Sequence, residues 1–218
     1  MGRRLAHTPG LGLRERKKLL TRQAITDTAH AMFLERGYDN VTVAEIADAA
    51  NVSTNTVFGY FPSKEDLVFD DSAEVRETLV ARIRQRPPGE TPFQTMVAVM
   101  REMIFLSGST AVTELDRLHR MVGTSVTLQS RLARMWEQFE ESLAEALAEE
   151  FGEGPHSPRP SVLAAQLILI FRMMASERFL GYLRAHTEPA QPAALEEWLS
   201  VTVELIGKGI ADYPPRLD

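Results

Sequence analysis

Cysteine is absent from the chain, which removes a disulfide framework, thiolate metal sites and cysteine nucleophiles at once. A reducing cytoplasm fits that composition. Long apolar runs are also missing. A membrane span needs roughly 18 apolar residues in succession, and Gln166 and Arg172 interrupt the most apolar stretch while Arg101 and Glu102 interrupt the next. Met1-Gly2-Arg3-Arg4 leads into no apolar signal-peptide segment, so the expected location is the cytosol. His7, His30, His119, His156 and His186 form no pair four residues apart with a carboxylate between them, so a zinc-protease helix is excluded. A phosphate-binding Gly-rich loop and a Gly-x-Ser-x-Gly elbow are lacking as well. An enzyme is therefore not expected, although a carboxylate pair assembled by folding stays open, and no cofactor or metal is expected.

What is present reads as a folded protein with an uneven charge. The 218 residues are 44% hydrophobic and 25% charged, enough to bury one large core or two smaller ones. The net charge of −6 hides a basic start: residues 1–22 carry Arg3, Arg4, Arg14, Arg16, Lys17, Lys18 and Arg22 against Glu15 alone, a local balance of +6. A basic end on an acidic body suits contact with phosphate at that end. Charge by itself equally describes a solvated tail.

Helical periodicity dominates the chain, with no strand alternation and no internal repeat. Ile25, Thr28, Ala29, Met32 and Phe33 recur at spacings of three and four before Gly37, which predicts a helix over about 13–36. Thr42 and Glu45 have capping-box spacing and open a short helix over about 43–50. Asn51 tolerates a left-handed turn, and Ser53 is placed to cap a further short helix that ends near Phe61-Pro62. Ser63 with Asp66 repeats the capping signal, which predicts a helix to about Arg86, stopped by Pro87-Pro88-Gly89. Further helices are expected near 92–107, 110–121, 126–151, 160–185 and 193–211, the first two parted at Gly108.

A helix-turn-helix requires a small residue where two helices nearly touch, a turn residue four positions on and an apolar plug six further. Ala47, Asn51 and Val57 stand at those places, with Ile46, Ala50, Val52, Tyr60 and Phe61 as the other apolar positions. Val57 and Phe61 then face inward, which turns Thr54, Asn55, Phe58 and Gly59 outward toward a major groove. Asn55 suits an adenine edge, Thr54 a base edge or thymine methyl, and Gly59 a close backbone approach. Asn55 as plain solvated helix surface is the competing reading. Thr42, Tyr60 and Lys64 are better placed for phosphates, although Thr42 is chiefly a helix cap. Because 53–61 holds no Lys or Arg, long-range attraction is expected from the basic arm, whose arginines can enter a minor groove. Arg14, Lys17, Val43 and Ser53 complete the expected DNA-facing set.

The stretch Thr42-Val43-Ala44-Glu45-Ile46-Ala47-Asp48-Ala49-Ala50-Asn51-Val52-Ser53-Thr54-Asn55-Thr56-Val57-Phe58-Gly59-Tyr60-Phe61-Pro62-Ser63-Lys64-Glu65-Asp66-Leu67 resembles the signature of the TetR family of bacterial regulators, over about residues 13–70. The resemblance implies a homodimer, a ligand cavity in the C-terminal domain, repression relieved by the ligand, and phosphate contacts from Thr56, Tyr60 and Lys64. Two positions depart from it. Asn51 stands where the family usually has Gly, at little backbone cost. Phe58 stands where the family usually has Tyr, so a phosphate hydrogen bond is lost there, and Phe58 is expected only to pack on the DNA backbone.

The expected fold class is all-α: a three-helix helix-turn-helix DNA-binding domain followed by a helical ligand-binding and dimerisation domain, about nine helices in all. The expected boundaries are a basic flexible arm over 1–12, the DNA-binding domain over 13–62, a linker helix over 63–86 and the C-terminal domain over 87–218. The segments 160–185 and 193–211 are apolar in too many directions for one stripe, so one side is expected on the protomer's core and another on a twofold mate. Leu167, Ile170, Leu180, Trp198, Leu199, Leu205 and Ile206 are the expected dimer residues, a thick monomer core being the alternative. Methionine and aromatic residues concentrate over 92–140 and suit an apolar or aromatic guest as well as plain core. Met96, Met100, Met103, Met121, Trp136, Phe139, Phe171 and Met174 are the expected lining, with His119 and Arg120 to orient the ligand. Arg172 fits either the ligand or the dimer seam. The function expected is a sequence-specific DNA-binding transcriptional regulator, a repressor released from a palindromic operator by a small molecule. The alternative is a ligand-independent DNA-binding or protein-docking helical module.

Overall fold

Every regular element among the described residues is helical, as the periodicity predicts. The computed structural model describes residues 12–70, 72–123, 125–154 and 157–210, without the side chains of 104–112, 114, 209 and 210. The expected basic arm, apart from Gly12, lies outside the described residues. Among the described residues nine α-helices run in chain order: α1 Leu13–Arg36, α2 Val43–Ala49, α3 Thr54–Tyr60, α4 Ser72–Arg84, α5 Pro92–Gly123, α6 Val126–Phe151, α7 Pro158–Met174, α8 Glu177–Arg184 and α9 Gln191–Ile210. None of the helices is long and apolar enough to cross a membrane, among the described residues.

The local signals act where the chemistry requires. Gly37 ends α1 at φ +81°, a backbone angle that side chains rarely allow, and its N–H donates to the Phe33 carbonyl at 2.9 Å. Thr42 and Glu45 form the full capping box, with Thr42 N–H donating to Glu45 Oε2 at 2.8 Å and Glu45 N–H to Thr42 Oγ1 at 3.2 Å. Asn51 takes φ +55° in the turn between α2 and α3. Ser53 Oγ accepts from Thr56 N–H at 3.0 Å and starts α3.

Three boundaries differ from expectation. The long helix predicted from residue 63 does not start there. Ser63 and Asp66 make reciprocal hydrogen bonds, with Ser63 N–H to Asp66 Oδ2 at 2.9 Å, but only a 3-10 turn over Glu65–Leu67 follows them, and α4 begins at Ser72. A cap satisfies only the first free N–H groups and cannot dictate how far a helix runs. The predicted break at Gly108 is absent, since α5 is continuous from Pro92 to Gly123. One interior glycine costs a helix about 1 kcal/mol, too little to end it. Conversely, the predicted 160–185 helix is two: α7 stops at Met174, and Ser176 caps α8 by accepting from Phe179 N–H at 3.2 Å.

The chain divides into two compact units, one holding residues up to Ser72 with Asp116–Leu132, the other Ala73–Leu115 with Ala133–Asp218. This division cuts differently from the expected domains: the end of α5 and the start of α6 belong with α1–α3, and α4 belongs with the second unit. In the first unit α1 packs on α2 and α2 on α3. Ile25, Ala29, Phe33, Tyr38, Val41, Ile46, Ala47, Val57, Phe61 and Leu67 are buried there. Ser125, fully buried, donates to Asp39 Oδ1 at 3.0 Å. The second unit closes around a cluster drawn from α4 to α9, with Ile83, Leu143, Leu163 and Leu199 among its buried members. Its one buried cation among the described residues, Arg86, donates to the carbonyls of Ile83 at 2.7 Å and Glu90 at 2.9 Å and pairs with Glu150.

Candidate nucleic-acid interface

The seven residues of α3 separate cleanly by face. Val57, together with Phe61 just past the helix, is sealed at 1% exposure and fastens α3 to the unit's core. Asn55, Phe58 and Gly59 are exposed, while Thr54, Thr56 and Tyr60 are half-buried. Positions 54, 55, 58 and 59 share one face because three and four residues are close to a full helical turn. Among the described residues no hydrogen bond engages the side chain of Thr54 or Asn55, so their polar groups are available to an outside partner. At Gly59, nothing lies within 4 Å of where a Cβ would stand.

Other expected DNA-facing residues are partly committed within the protein. The Ser53 and Thr56 hydroxyls share a hydrogen bond of 2.8 Å. Thr42 Oγ1 gives its proton to Glu45 Oε2 at 2.7 Å, so a phosphate at Thr42 would compete with that carboxylate. Glu45 is held down to a pKa of about 2, first by the Arg36 guanidinium, which donates at 2.6 Å, and then by Thr42. Lys64 donates to the Tyr38 carbonyl at 2.6 Å and stands 3.9 Å from the centre of the Tyr38 ring. Burial, against the raising influence of nearby carboxylates, pulls its pKa below the ordinary lysine value. An ammonium has three protons and the Tyr38 carbonyl takes one. Arg14 and Lys17 are exposed on the first turns of α1, and Val43 is half-buried at the start of α2.

Sequence reasoning missed Arg22. Its guanidinium donates from Nε to Asp70 Oδ2 at 2.9 Å and from Nη2 to Asp70 Oδ1, and Nη1 reaches the Tyr60 carbonyl at 3.2 Å. The same group lies 4.7 Å from the centre of the Phe61 ring. It thereby ties the C-terminal end of α3 to α1 and to the strand of chain before α4. No local signal marks such a partnership, because Arg22 and Asp70 are 48 residues apart.

The expected ligand residues split between the units. Met96, Met100, Phe139, Phe171 and Met174 are buried in one cluster of the second unit, with Met103 and Trp136 half-buried against it. Trp136 meets Phe139 edge-on, ring centres 5.8 Å apart. His119 and Met121 fall in the first unit instead and are not part of that cluster. Concentration of methionine along a stretch of sequence does not fix which unit each residue joins, and the division between units falls within α5. Arg172 is exposed and pairs with Glu140 at 3.4 Å.

The expected dimer residues also need correcting. Leu167, Ile170, Leu180 and Leu199 are buried inside the second unit's own core and have no surface to offer a second copy. Among the described residues the large apolar side chains that α7 and α9 leave exposed are Val162, Leu169, Val201 and Leu205, the last 65% exposed. Leu169, Met173, Trp198, Val201, Leu205 and Ile206 line an open, largely apolar groove of about 300 Å³. Of the seven expected, Trp198, Leu205 and Ile206 belong to that surface.

Comparison with known proteins gives a consistent result. Residues 25–70 match the family model described as bacterial regulatory proteins, tetR family. Over 185 residues the chain is 31% identical to the HTH-type transcriptional regulator TcmR of Streptomyces glaucescens, covering 82% of this chain and 80% of TcmR. Among solved structures, NalD of Pseudomonas aeruginosa, described as the secondary repressor of the MexAB-OprM multidrug efflux pump, superimposes with a TM-score of 0.55 at 21% identity, covering 83% of this chain and 96% of NalD. A TetR-family regulator of Streptomyces coelicolor A3 does so with a TM-score of 0.52 at 23% identity, covering 89% and 99%. At those identities the two structures speak for the fold.

Proposed function

The chain belongs to the tetR family of bacterial regulatory proteins, DNA-binding transcriptional regulators rather than enzymes, and on that premise we propose that it is a cytoplasmic repressor released from a near-palindromic operator by a small apolar or aromatic ligand. The observation that carries the reading is the two-sided α3: Val57 and Phe61 anchor it, and Thr54, Asn55, Phe58 and Gly59 are left outward. In this role Asn55 and Thr54 meet base edges. Tyr60, Thr56 and the remaining Lys64 protons meet phosphates, with Arg14 and Lys17 adding long-range attraction.

A second copy seated on the Leu169, Val201 and Leu205 face makes the dimer, and pairs two reading helices about 34–36 Å apart or somewhat further. The cluster of Met96, Met100, Met103, Trp136, Phe139, Phe171 and Met174 is the region a guest would open, since methionine repacks easily. A ligand able to clear the operator must favour the released form on the order of 10²-fold or more.

The test is selection of duplexes from a random pool by the purified protein. A palindrome bound less tightly as salt rises supports the regulator. Lys64→Ala is then expected to weaken all sequences roughly alike, and Asn55→Ala to relax preference at one base position. If no ligand in a broad titration ever changes operator binding, the ligand-independent alternative replaces the sensor.

A further inference from the structure

Phe58 is the one large apolar side chain that α3 leaves outside, 49% exposed on the face it shares with Thr54 and Asn55. A phenyl ring has no donor or acceptor, so it offers a phosphate no hydrogen bond, and its favourable contacts are apolar. Among base edges in the major groove, the apolar group on display is the 5-methyl of thymine. Asn55 and Phe58 are three residues apart, about 4.5 Å along the helix, and that is less than two base-pair steps of about 3.4 Å. Gly59 beside it carries no side chain, and the space where its Cβ would stand is open, so position 59 places no side chain of its own between this face and a base edge.

We infer that Phe58 is a specificity-determining residue whose ring packs on the 5-methyl of a thymine, within about two base-pair steps of the base that Asn55 meets. The inference rests on α3 being the DNA-reading helix. It makes Phe58 a reader of sequence, in place of the backbone packing expected from the chain alone. It also supplies sequence preference without a charged side chain, which suits a helix that has no Lys or Arg.

The experiment takes the operator selected by the wild-type protein and replaces its thymines one at a time by deoxyuridine, which deletes only the methyl group. Affinities are measured for wild type and Phe58→Ala on each duplex. The expected result is one thymine per half-site whose methyl loss weakens wild type about fourfold, the worth of one buried methyl, and leaves Phe58→Ala unchanged. Phe58→Tyr, which keeps the ring, retains the discrimination. The inference is overturned if no thymine behaves this way, if uracil weakens both proteins equally, or if Phe58→Ala weakens every sequence alike, as a ring lying on deoxyribose would. The uracil scan of the unaltered protein stands even if the variant misfolds. Failure to enrich any sequence from the pool is a different outcome, which overturns the reading of α3 and this inference with it.

Discussion

Gly59 sits in a helix where alanine would ordinarily be preferred, and the protein itself leaves room for one. Gly59→Ala is expected to raise stability by about 0.5–1 kcal/mol through lower unfolded-state freedom, while the added methyl stands between the α3 backbone and DNA and weakens operator binding. Thermal unfolding and operator affinity measured on the same variant check both halves, and unchanged affinity would remove Gly59 from the interface. Glu45 makes a prediction in pH. Its carboxyl is lowered from 4.5 to about 2, chiefly by Arg36. A depressed carboxyl stabilises the fold fully above the unfolded value and loses that contribution as pH falls through the folded one. Stability should therefore decline between about pH 4.5 and 2, and Glu45→Gln should flatten that decline in urea titrations taken across the window. At this scale Asn51, the Thr42–Glu45 box and Ser53 were legible in the sequence, because each acts on backbone within three residues of itself. Arg22 was not, because its partner is set by tertiary contact.

Among elements, α3 is short and depends on what grips its ends. Ser53 caps the start and Arg22 holds the Tyr60 carbonyl at the finish. Arg22→Met is expected to speed hydrogen exchange of the Val57 to Phe61 amides and to blur operator discrimination, with exchange in the second unit unchanged. Arg22→Lys should restore little, since an ammonium cannot reproduce the planar fork that grips both Asp70 oxygens. Protection at α3 that is indifferent to Arg22 would reduce the residue to surface charge. In the second unit Arg86 ties the end of α4 to Glu150 on α6. Arg86→Met should cost about 3 kcal/mol of unfolding free energy, the low end for breaking a buried pair because Glu150 keeps some solvent. Chemical denaturation measures it, and a loss below 1 kcal/mol would show the pair to be dispensable. Most helices were legible, α1 and α6 with their spans, but the continuity of α5 and the separate α8 were not. The break expected at Gly108 is absent, and the stop before Ser176 was not marked in advance, because a single residue's local preference does not fix where a helix ends.

For the whole molecule, the proposed dimer seam on the outward face of α7 and α9 carries a prediction of oligomeric state. Leu169→Glu combined with Leu205→Glu is expected to give a monomer of undiminished helicity, since both side chains are exposed in the single chain. Operator affinity should then drop by about 10²-fold or more as the two proposed reading helices lose their tether. Sedimentation, circular dichroism and operator binding together test this, and a dimer that survives both charges would place the seam elsewhere. Periodicity and caps determined the all-helical class and which residues α3 turns outward, because those follow from spacing along one element. Which apolar residues of 158–210 face the core was beyond them: α7 is apolar in nearly every direction, and a pattern without a polar face has no phase to read. Tertiary structure decided that Leu167, Ile170, Leu180 and Leu199 are core and that Leu169, Val201 and Leu205 are surface. It also decided that the segment 116–132 belongs with the unit of α1–α3. A side chain's direction within an element is a local property, whereas what covers it is settled only when distant parts of the chain arrive.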